Sequence, residues 1–245
     1  MKALHRMTLS EIKLFLREPS NVFFTLAFPL ILLFIFGSIF GNEPVDLFGG
    51  LGTVDVSVPA YIGLTIGTLG LIGLPIALAT YREQGILRRL RATPVRPVVI
   101  FGALLAVNLI AALLGATLLL IAGKLVFDVQ LPEMPLSLLP AILLCTLSFS
   151  AVSFVLAGLV SSPRVAQAVG MALLMPMLFL SGAAMPRETM PETIQKIGNF
   201  LPLTYVVELL KGLWFGQGWN WGAVAVLLGV LAAGTLLATR TFRWE

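Results

Sequence analysis

Six apolar runs divide the sequence, and each is long enough to cross a lipid bilayer. A helix needs roughly 20 apolar residues to span about 30 Å of hydrocarbon. Charged residues make up only 11% of the chain, whereas about 25% is usual for a soluble domain. The sequence therefore predicts an all-α integral membrane protein, with one transmembrane domain over residues 1–245. The predicted spans are 22–40, 59–80, 98–120, 136–160, 165–185 and 221–239.

Positively charged side chains indicate the orientation of these spans. If both termini lie in the cytoplasm, the inner segments carry 12 of the 16 Lys and Arg residues but only four of the 12 acidic residues. Lys and Arg are enriched in the cytoplasmic loops of membrane proteins. We therefore predict six spans with both termini cytoplasmic. The inner segments are residues 1–21, 81–97, 161–164 and the tail after residue 239.

The segment that precedes the first span has the pattern of an amphipathic helix. Thr8 and Glu11 have the spacing of a capping box, in which two side chains satisfy free N–H groups at a helix start. Leu9, Ile12 and Leu16 then follow at helical intervals. We expect this helix to lie in the inner membrane interface, although an ordinary solvated helix has the same pattern.

Two glycines in the second span, Gly63 and Gly67, form a small-xxx-small pair. Such a pair lets two helix backbones approach closely in a membrane. Two interpretations remain open, namely packing against another helix of the same subunit and a contact between two subunits.

The long segment between the last two spans, residues 182–220, is not an ordinary polar loop. Pro191 stands where the first residue of a helix is expected, and the apolar run Leu203–Phe215 is too short to span. These pieces predict re-entrant or interfacial half-helices on the outer side. The tryptophans expected to mark the outer interface are Trp214, Trp219 and Trp221.

Catalytic and cofactor-binding groups are missing from the predicted spans. The single histidine, His5, precedes the first span, and the single cysteine, Cys145, lies within an apolar run. No G-x-x-x-x-G-K-[ST] phosphate loop occurs, so we expect no cofactor, metal or catalytic site in this chain. We attribute the net charge of +4 to membrane orientation and expect no binding of nucleic acid. Asn108, near a span centre, can serve an interhelical hydrogen bond or contact a substrate.

Residues 81–94 of the inner loop 81–97 read Tyr-Arg-Glu-Gln-Gly-Ile-Leu-Arg-Arg-Leu-Arg-Ala-Thr-Pro, and this stretch resembles the cytoplasmic loop of ABC-2 type export permeases. The pattern of that family is roughly Glu-Arg-Glu-x-Gly-Thr-Leu-Glu-x-Leu-x-x-Thr-Pro, and this sequence departs from it at Tyr81, Ile86 and Arg88. The matching residues are Arg82, Glu83, Gly85, Leu87, Leu90, Thr93 and Pro94.

A second resemblance to the same family follows the fifth span. The family has Ser-Gly, two spaced prolines and Asn-Pro-Leu-Thr-Tyr there, and Leu201 replaces the usual Asn in this chain. The matching residues are Ser181, Gly182, Pro186, Pro191, Pro202, Leu203, Thr204 and Tyr205.

The resemblance implies a half-transporter in the cytoplasmic (inner) membrane of a bacterium or archaeon. Two permease subunits, as a homodimer or heterodimer, would pair with two ATP-binding subunits that hold the ATP and Mg. The Tyr81–Thr93 segment would be a coupling helix that docks on the ATPase. A hydrophobic or amphipathic substrate is implied, such as a drug, a lipid or a lipid-linked glycan. The alternative is a membrane scaffold or assembly factor without transport activity.

Overall fold

The computed structural model describes residues 2–91, 97–184 and 186–241. In this part of the chain six helices are long and apolar enough to cross a membrane, which confirms the predicted all-α architecture. In chain order the helices are α1 (Lys2–Arg17), α2 (Pro19–Phe40), α3 (Thr53–Glu83), α4 (Ile86–Arg91), α5 (Pro97–Phe127), α6 (Pro135–Leu159), α7 (Pro163–Leu180), α8 (Glu192–Gly198), α9 (Pro202–Trp214) and α10 (Trp221–Thr241). The candidate spans are α2, α3, α5, α6, α7 and α10.

Helix α3 begins earlier than predicted, at Thr53 rather than at residue 59. The buried carboxylate of Asp55 accepts a hydrogen bond of 3.1 Å from the backbone N–H of Gly52. Its other oxygen accepts the backbone N–H of Gln130 at 2.7 Å. An acidic side chain in the first turn satisfies free N–H groups and complements the helix dipole. These bonds extend the span into residues 53–58, which lie outside the span predicted from the sequence.

The ends of two other spans, α5 and α7, lie several residues from the shortest predicted bounds or inside them. Helix α5 continues past residue 120 to Phe127, the longer of the two ends that the apolar run allows, whereas α7 ends at Leu180 instead of residue 185. Gly182, just after α7, has a left-handed φ of 85°. This conformation commonly ends a helix and suits glycine because glycine has no Cβ.

Helix α3 is the central helix of the bundle. Within its most apolar window 89% of the residues are buried, against 22% for α2, α7 and α10. Helices α2, α5 and α9 pack directly on it, and α10 packs along α6. A displacement of α3 would therefore also displace the helices that pack on it.

The glycine pair of α3 packs inside the chain. A Cβ built on Gly63 would lie 3.1 Å from Cγ2 of Val207, and one built on Gly67 would lie 3.2 Å from Cδ1 of Leu203. Both neighbours belong to α9. The structure therefore supports packing within one subunit, the first of the two interpretations left open by the sequence.

Two of the spans contain a π-helical turn, Phe23–Ala27 in α2 and Leu69–Gly73 in α3. A π turn is wider than an α turn and interrupts its hydrogen-bond pattern. Within the turn of α3, the carbonyl oxygen of Gly70 accepts a hydrogen bond from the hydroxyl of Ser153 in α6. This bond from a neighbouring helix satisfies the carbonyl and ties α6 to the middle of α3.

The ends of the spans form two faces. On the N-terminal face, α1 contacts the end of α3 at Tyr81, and the end of α3 contacts the residue after α6, Val160. On the far face, an antiparallel hairpin pairs Pro44–Val45 with Leu51–Gly52, and α8 and α9 follow α7. Successive connections between the six spans alternate between these faces, as in an up-and-down bundle.

Candidate functional site

A cavity of about 280 Å³ opens on the N-terminal face between α1, α3 and α5. Part of its wall is apolar and includes Leu74, Leu104 and Val107. Glu11 and Tyr81 lie on a polar part of the wall. The cavity combines a hydrocarbon-like wall with ionisable groups, which is the usual make-up of a site for an amphipathic small molecule.

Glu11 is the buried acid of this cavity, with only 6% of its surface exposed. The Tyr81 hydroxyl donates a hydrogen bond to its Oε2 atom. Burial raises the pKa of the Glu11 carboxyl, and the bond from Tyr81 offsets part of this effect. A buried carboxyl is costly when it is charged, so a positively charged group placed beside Glu11 would favour its ionised form.

The capping box predicted at Thr8 and Glu11 is wrong. The structure describes α1 from Lys2 onward, so Thr8 lies in its interior, where its hydroxyl donates to the carbonyl oxygen of Leu4 at 3.0 Å. Thr8 therefore bonds back to the preceding turn, as hydroxyls within helices do. Glu11 is left to face the bundle, where it meets Tyr81.

The predicted coupling helix Tyr81–Thr93 is not one continuous helix. Helix α3 runs on to Glu83, and a turn at Gln84 and Gly85 separates it from α4. Gly85 has a left-handed φ of 67°, and no atom lies within 4 Å of a Cβ built there. The glycine breaks the helix because it adopts a backbone conformation that other residues avoid.

The matched residues of this loop have different surroundings. The guanidinium of Arg82 donates to the carbonyl oxygens of Ala157 at 2.8 Å and Val160 at 2.6 Å. These oxygens lie at the end of α6, where the helix dipole favours a cation. Glu83 is exposed.

Leu87 is buried with 1% exposure and packs in an apolar cluster with Leu78 and Ile100. Leu90 lies in α4, and the predicted residues Thr93 and Pro94 fall outside the described residues. Among the matched residues whose side chains the structure describes, Glu83 is the one that offers a charge to a partner on the surface.

Asn108 also lines the cavity and is buried. Its Nδ2 atom lies 3.5 Å from Oγ of Ser150 in α6, which is a long hydrogen bond. The amide therefore links two spans and borders the cavity at the same time.

The second motif builds the connection from α7 to α9 on the far face. Pro191 directly precedes α8 instead of being its first residue, and Pro202 is the first residue of α9. The Thr204 hydroxyl donates to the Gly198 carbonyl oxygen at 2.6 Å, and the Tyr205 hydroxyl donates to the Asn199 carbonyl oxygen at 2.7 Å. These two bonds hold α8 against the start of α9.

The other motif residues lie before α8. Ser181 is fully buried, and Pro186 precedes the 3₁₀ turn Arg187–Thr189. A Cβ on Gly182 would come within 2.7 Å of Cγ of Arg187, so a larger residue does not fit there. Leu203 is buried against α3 beside Gly67.

An ion pair on the far face was not predicted. The Arg187 guanidinium donates to Oε1 of Glu208 and, at 2.6 Å, to Oδ1 of Asn199. In the sequence, Arg187 and Glu208 contribute only to the charge count that indicates orientation. Their contact could not be predicted because it depends on how α8 and α9 fold back. The pair joins the 3₁₀ turn to α9.

Trp214 does not mark a surface, contrary to the prediction. It is 1% exposed, and its Nε1 atom donates to the carbonyl oxygen of Gln130 at 3.0 Å. Trp221 is exposed, as expected for an interfacial residue. The buried end of α9 explains the difference, because this half-helix inserts between α3, α6 and α10.

The sequence matches the model of the ABC-2 type transporter family over residues 2–215. The chain belongs to the ABC-2 type transporter family. The match confirms the resemblance found in the two motifs and makes this permease a membrane component of an ABC transporter.

Relatives of this permease support the same assignment. The transport permease ycf38 of Porphyra purpurea is 26% identical over 239 residues, which is 92% of this chain and 79% of the relative. The transport permease YvfS of Bacillus subtilis is 24% identical over 97% of this chain and 96% of its own length. Nodulation protein J of Rhizobium leguminosarum bv. viciae is 34% identical over 79 residues, 32% of this chain and 30% of the relative.

Proposed function

We propose that this permease exports a hydrophobic or amphipathic molecule from the cytoplasm or the inner leaflet, driven by a separate ATP-binding subunit. One observation carries the proposal. The turn at Gln84 and the start of α4 at Ile86 line the cavity together with Tyr81. A force applied to the predicted coupling segment would therefore act directly on the cavity wall.

The orientation that fits this function has the N-terminal face in the cytoplasm of a bacterium or archaeon. The positive charge of the inner segments supports it, since the positive-inside rule applies to short loops. In this orientation α1 lies in the inner interface, where its exposed Leu9 and Leu16 side chains contact lipid. The cavity then opens toward the cytoplasm and the far face leads outward.

The contacts of Arg82 suggest how movement passes into the bundle. A partner that moves α4 also moves the end of α3, and Arg82 joins that end to α6. The helices then shift as rigid bodies, because packed interfaces favour a few discrete arrangements. The proposed complex contains a second permease, either an identical copy or a sister subunit, and ATP and Mg are held by the ATP-binding subunits.

The test is charge reversal of the exposed Glu83. The permease is co-expressed with a candidate ATP-binding subunit from the same organism, reconstituted in liposomes, and assayed for stimulated ATP hydrolysis. We expect Glu83→Arg to weaken the stimulation about tenfold or more, because a reversed charge is repelled at a complementary surface. The control is Glu43→Arg, which reverses an exposed acid on the far face. Membrane insertion should be equal in both variants.

Two outcomes would contradict the proposal. Equal stimulation by Glu83→Arg and Glu43→Arg would remove the coupling role of the loop. Co-purification with an ATP-binding subunit that never drives transport would instead support the scaffold function.

A further inference from the structure

The charged side chains around the N-terminal cavity differ in how far they are buried. Among the residues that the structure describes, the charged side chains lining the cavity are Glu11, Arg17 and Glu18; Arg17 and Glu18 are exposed, whereas Glu11 is buried. The charged group that a bound molecule would meet away from water is therefore a carboxylate. Electrostatic interactions strengthen away from water, so this wall favours a cation.

The rest of the wall suits the apolar part of the same molecule. Leu74, Leu104 and Val107 provide a hydrocarbon surface, and the aromatic residues Phe15 and Tyr81 also line the cavity. Aromatic faces attract organic ammonium groups, above all when these are desolvated. The volume of about 280 Å³ lies slightly below the range of drug-sized pockets, which starts at about 300 Å³. The fitting molecule is therefore small.

We propose that this cavity binds a small lipophilic organic cation, with Glu11 as its counterion. The cation lies near Glu11, its apolar substituents face Leu74 and Val107, and the amide of Asn108 provides a further polar contact. The same chemistry is present in a soluble aromatic ammonium ion and in a choline headgroup. Binding at this site is independent of the function proposed above, whereas export of the bound cation rests on it.

Benzyltrimethylammonium is a suitable probe, because neopentylbenzene has the same shape without the charge. Purified permease is placed in nanodiscs of phosphatidylglycerol without an ATP-binding subunit, and binding of radiolabelled probe is measured against empty nanodiscs. We expect saturable binding that neopentylbenzene does not displace. Glu11→Gln should weaken it by about tenfold or more through loss of the charged partner. Glu43→Gln on the far face should bind like the unchanged protein.

Two further experiments identify the source of the cation and test whether the Glu11→Gln variant is folded. If phosphatidylcholine displaces the probe when it replaces part of the lipid, the occupant is a lipid headgroup. If the probe is not displaced, the occupant is a soluble cation. Glu11→Asp, which keeps the charge, should retain saturable binding and shows that the loss in Glu11→Gln is not misfolding.

The inference is overturned if the unchanged protein shows no saturable binding, or if Glu11→Gln binds as tightly as the unchanged protein. Its failure differs from failure of the proposed function. Binding that persists while ATP drives no export would overturn the function alone, and export that continues without binding would overturn the cation site alone.

Discussion

The Tyr81 hydroxyl donates a hydrogen bond to the carboxylate of Glu11, and this bond joins two helices whose residues lie 70 positions apart in sequence. It ties the amphipathic helix α1 to the end of the central helix α3. Because Tyr81 also stands next to Arg82, which holds the end of α6, three helices meet within two residues. Movement of α1 is thereby linked to the ends of α3 and α6 on the N-terminal face.

The raised pKa of Glu11 predicts a specific pH dependence of stability. The folded protein holds the proton more tightly than the unfolded chain, so this group stabilises most below its ordinary pKa of about 4.5. The contribution is lost as the pH rises through the raised value. As the pH rises through this window, the unfolding temperature of the unchanged protein should fall relative to that of Glu11→Gln. Above the window the difference between the two proteins should stay constant.

The control and the neighbouring groups make this test specific. In the described part of the chain, the other titratable or charged residues lining the cavity are Arg17, Glu18 and Tyr81, and the α5 wall is uncharged at Leu104, Val107 and Asn108. Glu43→Gln should follow the pH profile of the unchanged protein. Parallel profiles for Glu11→Gln and the unchanged protein would show that the carboxyl does not titrate in this window.

Loss of the Tyr81 hydroxyl should destabilise the protein through Glu11. Tyr81→Phe keeps the ring but leaves the buried carboxyl without this donor, which costs about 1–3 kcal/mol. In the Glu11→Gln background the same change should cost less, since no charge then remains. Thermal unfolding of the two single variants and the double variant measures the coupling. Strictly additive effects would mean that the two side chains act independently.

Replacement of Gly85 should strain the turn between α3 and α4 without any clash. No atom lies within 4 Å of a Cβ at this position, but the φ of 67° costs an ordinary L-residue about 1–2 kcal/mol. Gly85→Ala should lower the unfolding temperature, and Gly85→Asn should lower it less because Asn tolerates this region better. Equal losses for Ala and Asn would point to a cause other than φ.

Replacement of Gly170 should instead act by overlap. A Cβ there would collide with the backbone carbonyl oxygen of Leu71 in the π turn of α3, and backbone cannot move aside cheaply. Gly170→Ala should cost about 1–3 kcal/mol as an overpacked contact. Gly229→Ala is the matched control, since nothing lies within 4 Å of its Cβ. Comparable unfolding temperatures for both variants would contradict the close approach of α7 and α3.

Much of the fold follows from local sequence, but its long-range contacts do not. Six apolar runs predict the six candidate spans, and the Gly63–Gly67 spacing predicts a close helix contact. Glu11 resembles a capping residue because Thr8 stands three positions before it. Its burial could be recognised only from Met7 and Phe15, which flank it at helical spacing and also pack on the bundle.

The predicted coupling segment shows the same division. From the sequence, Leu87 is expected to be free to contact a partner protein. In the structure it packs in a cluster formed by residues of α3 and α5, and no local sequence pattern predicts this contact. Arg82 likewise finds its partners 75 and 78 positions away. The break at Gly85 could have been predicted, since glycine followed by a fresh helical stretch is a common helix end.

The π turn of α3 has a consequence for helical phase. A π turn inserts one residue relative to an α-helix, which rotates everything beyond it by about 100°. Gly63 precedes the turn and docks on α9, whereas Tyr81 follows it and docks on α1. The two halves of α3 therefore pack against different helices. The single inserted residue sets the rotation about the helix axis between the face that contacts α9 and the face that contacts α1. Deleting that residue would turn Tyr81 away from Glu11 and leave Gly63 in place.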